Sequence, residues 1–360
     1  MIKLRSYHFN GTPEQIGHAH GEELKESILS FIQTRLDAAV KYFLDQGIKD
    51  DSLISNLRNA GRECYNIFAN WDPEGFIEHN AIARAAGVDA ADLYTVSNYT
   101  DIRDAYMLTG SQPDSEGCSA VMIPATHTLD NTILAGQTWD LNPEDIDYVV
   151  AIHTKPKKGP ARWSIQLAGS LSLMGMNSKG LAIGTTNLKT WGSKLGVGYI
   201  NIIHRAMRCN TIEEAAQVID QAPKSGAHSY FLSTASKAMH FEVTGFSHNN
   251  QVLSSTPMGW TNHCLYPEHK VREYDKPSSS SMARFQRLKT LLQAEPFTVD
   301  SIKTIFANHE DAADSINRYP EDKSYAATNA CMIADPDKLV LHACRGPADR
   351  GEWLALTFND

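Results

Sequence analysis

Near residue 117 the apolar residues change period, and no other feature limits the possible folds of this chain so strongly. Before that point Leu24, Ile28, Phe31, Ile32, Leu36, Val40 and Phe43 recur every three or four residues, the spacing that lines one face of a helix. Thr12-Pro13-Glu14-Gln15 reads as a helix start with proline in the first turn, and more helix is expected around 52–69 and 78–108. After that point come short β-rich runs at 119–124, 132–138, 148–154, 163–167, 171–176 and 181–186, parted by turn residues. Helices are expected again at 199–208 and 211–221, the second opened by a Thr211/Glu214 capping box. Strands follow at 229–233, 238–244 and 251–255, helices at about 281–294 and 298–309, and strands near 326–334, 338–344 and 352–358. This order predicts an α+β chain: a helical segment over 1–117, ending in an exposed polar connector at about 109–117, then a core over 118–360. Antiparallel sheets covered by helices, a four-layer α/β/β/α sandwich, fit that order.

Composition narrows the function. The 360 residues are 42% hydrophobic, enough for a substantial core, and the formal net charge is -9 with no basic run, which argues against nucleic-acid binding and for a small-molecule partner. The first residues lack the apolar stretch of a secretory signal, and no run approaches the ~18 apolar residues of a membrane span. A cytoplasmic protein is expected. Cysteines at 64, 118, 209, 264, 331 and 344 form no CxxC pair, so no zinc ribbon, redox motif or disulfide scaffold is expected, and no metal or cofactor. His18 and His20, two apart on a helix, point different ways and make a poor metal pair. The serines at 278–281 read as a flexible surface turn.

The informative position is Cys118, directly after Gly117, where the polar connector meets the first strand. A thiolate there can attack the Gly117 carbonyl and move the acyl bond from nitrogen to sulfur, after which water completes the cut. Glycine at the preceding position has no Cβ, so the scissile bond can be strained and closely approached. Once cut, Cys118 carries a thiol and an α-amine with a pKa of about 7.7–8.0, so one residue supplies nucleophile and base near neutral pH.

Around this pair lie Gly11-Thr-Pro-Glu-Gln-Ile-Gly17 with Gly21-Glu22, Gly136-Gln137 with Trp139-Asp140, Gly175-Met-Asn-Ser-Lys-Gly180-Leu, Thr261-Asn262-His263 and Cys344-Arg345-Gly346-Pro347. Those blocks, in that order over most of the chain, resemble the penicillin acyltransferase family of cysteine N-terminal-nucleophile hydrolases, and more distantly the bile-salt and penicillin V hydrolases. The resemblance implies the sandwich fold and a zymogen-like precursor whose two fragments stay together as a heterodimer. It implies Cys118 as nucleophile, Asp140 holding the new α-amine, Asn262 offering a side-chain N–H to the oxyanion, and the Asn187 backbone N–H completing that hole. Arg345 would supply the charge that favours thiolate. The implied activity is an amidase-type hydrolysis of a small N-acyl amide, with acyl-coenzyme A-dependent transfer to an amine as the alternative, and a homo-oligomer is possible. A non-catalytic binding module is the reading from another class. Two departures from the family pattern, Ser119 in place of threonine and Leu141-Asn-Pro in place of an aromatic, bear on the pocket wall.

Overall fold

A computed structural model describes residues 1–45, 47–107, 117–273, 277–322 and 326–358. The chain begins with a strand the helical spacing hid, β1 (Arg5–Gly11), then α1 (Pro13–Glu23), α2 (Lys25–Asp45), α3 (Leu53–Trp71), α4 (Pro73–Ala86), α5 (Ala90–Ser97) and α6 (Tyr99–Met107). Thr12 caps α1: its hydroxyl accepts from Gln15 N while the Gln15 side chain returns to Thr12 N, a capping box beside Pro13. The helix expected over 78–108 is broken twice. Gly87 takes a left-handed conformation (φ 77°) that ends α4 before the Asp89 carboxylate caps α5, and Asn98 ends α5 ahead of α6.

The strands that follow are β2 (Ala120–Ile123), β3 (Leu134–Leu141), β4 (Val149–Pro156), β5 (Arg162–Leu167), β6 (Met174–Asn177) and β7 (Ala182–Leu188). Next come α7 (Tyr199–Ala206), α8 (Ile212–Gln221), β8 (Ala227–Ser233), β9 (Ala238–Val243), β10 (His248–Val252) and β11 (Met258–Trp260). The chain closes with α9 (Pro267–Lys270), α10 (Ser279–Leu291), α11 (Val299–Phe306), β12 (Ala327–Asp335), β13 (Val340–Arg345) and β14 (Leu354–Leu356). The expected capping box at Thr211 and Glu214 is present.

Two sheets result. Eight strands run β1-β4-β5-β6-β7-β8-β9-β10 and six run β11-β2-β3-β12-β13-β14. All pairings are antiparallel except β1 with β4, where the first segment adds a parallel edge strand to the larger sheet. Alternation along β2 explains the layering. Val121 and Ile123 pack with Leu288, Ile302 and Phe306 of α10 and α11, whereas Ala120 and Met122 join the main core. The sheets face one another through Gln137, whose amide donates to Thr185 O (2.9 Å) and accepts from Thr185 N (2.5 Å), and through Phe231 against Trp260. With α7 and α8 against the outer face of the eight-stranded sheet, the order is helix, sheet, sheet, helix.

No helix among the described residues is long and apolar enough to cross a membrane. His20 is buried and takes a hydrogen bond from Gly169 N (3.0 Å), while His18 is exposed beside Glu22.

Candidate active site

Cys118 is buried just ahead of β2. Its amide nitrogen donates to Asn262 Oδ1 at 2.7 Å, its carbonyl accepts from Arg284 Nη1, and its sulfur lies 3.9 Å from Asp140 O. A small cavity of about 20 Å³ opens beside it, walled by Trp139, Asp140 and Leu141 of β3, Asn187 of β7, and Asn262. Opposite stand Thr100 of α6, Tyr199 of α7 and His228 of β8.

Local structure explains how these side chains arrive. β12 carries a bulge between Thr328 and Ala330, across from Trp139 and Asp140, and Asn329 at that bulge donates to Asn142 O (2.9 Å), bending the strand end next to the site. Asn262 follows β11. Its backbone N–H donates to Ser281 Oγ (3.0 Å) and its side-chain N–H to Asn187 O (2.9 Å), which fixes its carbonyl oxygen toward Cys118 N and Arg284 Nη2. The serine run is therefore not the flexible surface turn expected. Ser278 caps α10 through Ser281 N (3.1 Å), and Ser280 and Ser281 are buried against the site. Four small hydroxyls suit a helix N-terminus as well as a loop, and only the burial of α10 distinguishes them.

Gly117 is buried rather than exposed. A Cβ there would lie 2.8 Å from Arg284 Nη2 and 3.0 Å from Arg318 Cζ, so two buried guanidiniums close on the bond ahead of Cys118. Space, more than backbone conformation, requires glycine. The rest of the expected connector lies outside the described residues.

The electrostatics centre on those arginines. Burial, then the neighbouring Arg318, push the Arg284 pKa down to about 9, with Asp140 and Cys118 pulling it back. Its charge survives at neutral pH. Burial pushes the Asp140 carboxyl up to about 6 against the pull of Arg318 and Arg284. The Thr328 and Thr138 side chains also favour the anion.

Arg345 is a correction. Its guanidinium donates to Ile146 O (2.7 Å) and Asp147 Oδ1 (2.7 Å), because β13 lies two strands from β3 and its side chain turns toward the 3₁₀ turn Pro143–Tyr148. The cations at Cys118 are Arg284 and Arg318. Arg284 falls on the buried face of α10 with Ser280, Ser281 and Leu288, a burial that the sequence does not mark and that no arginine takes without a partner. Cys264 and Cys344 are buried away from solvent, and burial followed by Glu242 and Glu273 raises the Cys264 thiol. Among the described residues no group of three or more His, Cys, Asp and Glu side chains could hold a metal.

A two-sheet sandwich between helical layers is the fold of the N-terminal-nucleophile hydrolases, and here a Gly-Cys junction feeds the first strand of the smaller sheet. Within it, residues 127–349 match the family described as acyl-coenzyme A:6-aminopenicillanic acid acyl-transferase, and the chain belongs to that family of enzymes. The 40 kDa form of acyl-coenzyme A:6-aminopenicillanic-acid-acyltransferase from Emericella nidulans is 24% identical over 356 residues, covering 97% of this chain and 95% of that protein. Among solved structures, a mutant of conjugated bile acid hydrolase from Clostridium perfringens is 11% identical with a TM-score of 0.41, covering 67% of this chain and 92% of its own. Penicillin V acylase from Agrobacterium tumefaciens is 14% identical with a TM-score of 0.41, covering 66% and 86%.

Proposed function

We propose that this enzyme is a precursor that cuts itself between Gly117 and Cys118 and then transfers acyl groups through Cys118, hydrolysing a small N-acyl amide. One observation carries the reading. The nitrogen of Cys118, the atom a cut would turn into an α-amine, is held on Asn262 Oδ1 at 2.7 Å while its sulfur adjoins a pocket.

In the first step Cys118 Sγ gives up its proton and bonds to the Gly117 carbonyl carbon. The C–N bond breaks, the nitrogen takes a proton, and a thioester remains. Water then cleaves it, restoring the thiol and leaving a carboxylate on Gly117. The new α-ammonium would meet in Asp140 a buried carboxyl, and pairing there would lower the Asp140 pKa again.

In turnover the α-amine takes the thiol proton and the thiolate attacks the substrate carbonyl. The Asn262 side-chain amide and the Asn187 backbone N–H receive the oxyanion; one such donor is commonly worth about a hundredfold in rate. The amine product leaves with the proton of the α-ammonium, and water releases the acyl group from sulfur. Arg284 and Arg318 stabilise the thiolate, the part expected of Arg345. The family to which the chain belongs favours a second reading, in which an acyl-coenzyme A loads Cys118 and an amine takes the acyl group. Both share the acyl-cysteine. The two fragments would form a heterodimer, and six cysteines held as thiols support a cytoplasmic setting.

Mass spectrometry of the intact protein tests the reading. Fragments 1–117 and 118–360 are expected, with a single uncut chain for Cys118→Ala. After exposure to a panel of N-acyl amides, the second fragment should gain the mass of one acyl group. An uncut wild-type chain would remove the proposal.

A further inference from the structure

The lining of the pocket beside Cys118 includes His228, one half of a buried pair that the reaction above does not use. His228 Nε2 lies 2.6 Å from Asp101 Oδ1, and both residues are almost completely buried. Asp101 also accepts from Tyr199 N through its other oxygen (2.8 Å), and the imidazole stacks on the Tyr199 ring with centroids 4.7 Å apart. The ring is thus held in one orientation from three sides. A carboxylate can only accept, so Nε2 carries the proton and, in the neutral ring, Nδ1 is an acceptor.

The neighbour of Nδ1 is Thr185 Oγ1 at 3.4 Å, and that hydroxyl has one proton, which already goes to Ser229 O at 3.0 Å. Thr185 lines the pocket and Asp101 does not, which puts Nδ1 on the pocket side of the ring. Asn187, on the same wall, repeats the pattern. Its amide nitrogen is turned toward Asp104 Oδ2 (3.4 Å), and its buried Oδ1 meets no donor among the described residues. Two acceptors short of donors therefore stand in the cavity that Cys118 enters. Leaving a buried acceptor unmet costs about 1–3 kcal/mol, so such a wall selects for whatever supplies the donor.

We propose that His228, oriented by Asp101, is a specificity-determining residue that, with Asn187, accepts hydrogen bonds from an N–H-bearing group on the acyl part of the substrate. The inference rests on Cys118 being the nucleophile. It also makes the subsite composite, because Thr100 and Asp101 precede the proposed cut and His228 and Asn187 follow it.

The test uses p-nitroanilides in matched pairs over a range of acyl chain lengths, one member ending in a methyl group and the other in a primary amine or carboxamide. Wild-type enzyme should favour the donor-bearing member in kcat/KM. His228→Phe keeps the ring against Tyr199 but removes both nitrogens, and should erase that preference by about tenfold or more, the worth of a hydrogen bond to a fixed buried partner. His228→Asn retains an acceptor near the Nδ1 position and should restore part of it. Circular dichroism reports whether each variant is folded, and iodoacetamide labelling located by peptide mass reports whether Cys118 is reactive. If His228→Phe does not fold, Asn187→Leu, which removes the other acceptor, should lower the same preference. An equal loss on both members, or no wild-type preference for the donor, overturns the inference while leaving the nucleophile in place. Absence of any acyl-cysteine in the wild type removes the nucleophile itself.

Discussion

At the scale of single residues, the site sets Asp140 against its surroundings. Burial raises its pKa to about 6 while two arginines resist, so the uncut chain holds a carboxyl that prefers to be neutral. The sign of the consequence follows. An ordinary aspartate titrates near 3.9, so between about pH 4 and pH 6 the folded state holds more protons than the unfolded one, and stability falls as pH rises through that window. Asp140→Asn, placed in the uncut Cys118→Ala chain, should therefore stabilise it by an amount that grows from pH 4 to pH 6 and then levels off, at up to about 3 kcal/mol. Urea unfolding of the two variants across pH measures this, and a difference that does not change with pH would contradict it. Arg345 shows the opposite lesson at the same scale: a residue can sit in the right block of sequence while its side chain serves another part of the fold.

At the scale of elements, the glycines at 17 and 21 belong to the recognisable opening block, and the structure gives the reason for them. A Cβ on Gly17 would lie 2.2 Å from Glu78 O, and one on Gly21 would lie 2.3 Å from Ile82 O, so α1 rests directly on the backbone of α4. Two effects oppose each other in Gly21→Ala. Alanine favours the helix by about 1 kcal/mol, whereas forcing extra atoms into a filled contact costs typically 1–3 kcal/mol. A carbonyl of α4 cannot rotate aside, so the clash should win and chemical denaturation should show a net loss. A stabilised variant would mean that the helices can separate without penalty. Gln137 and Gly136 of β3 are likewise structural, one tying the sheets together and the other admitting Met332 O and the Phe306 ring.

At the scale of the whole molecule, the first segment is built into the core. It supplies β1 to the eight-stranded sheet and buries two charged pairs across the proposed cut, Arg35 with Asp145 (2.7 Å) and Glu78 with Arg162 (3.0 Å), beside the Asp101–His228 hydrogen bond (2.6 Å). Burial alone would raise the Glu78 carboxyl, but His204 and Arg162 hold it well below the ordinary range. Separating the fragments would strand these charges and expose the shared core, and breaking a buried pair commonly costs about 3–5 kcal/mol. Cleaved protein should therefore elute from gel filtration as one species and separate only in denaturant. Two peaks under native conditions would show that the first segment is a removable pro-piece.

The amino-acid order alone determined the change from helix to strand near residue 117, the α+β layering and the Gly117-Cys118 junction, because periodicity and motif order are local; that Asp140 and Asn262 lie beside Cys118 was implied by resemblance, and the fold brings them there. It hid β1, whose partner β4 lies far along the chain, and it hid the breaks at Gly87 and Asn98 within one run of helix-forming residues. Arg284, Arg318 and the His228–Asp101 pair emerged only in three dimensions. Each is an ordinary polar residue in sequence, and what singles it out is burial beside a group more than 30 positions away, a property that belongs to the packed chain and to no segment of it.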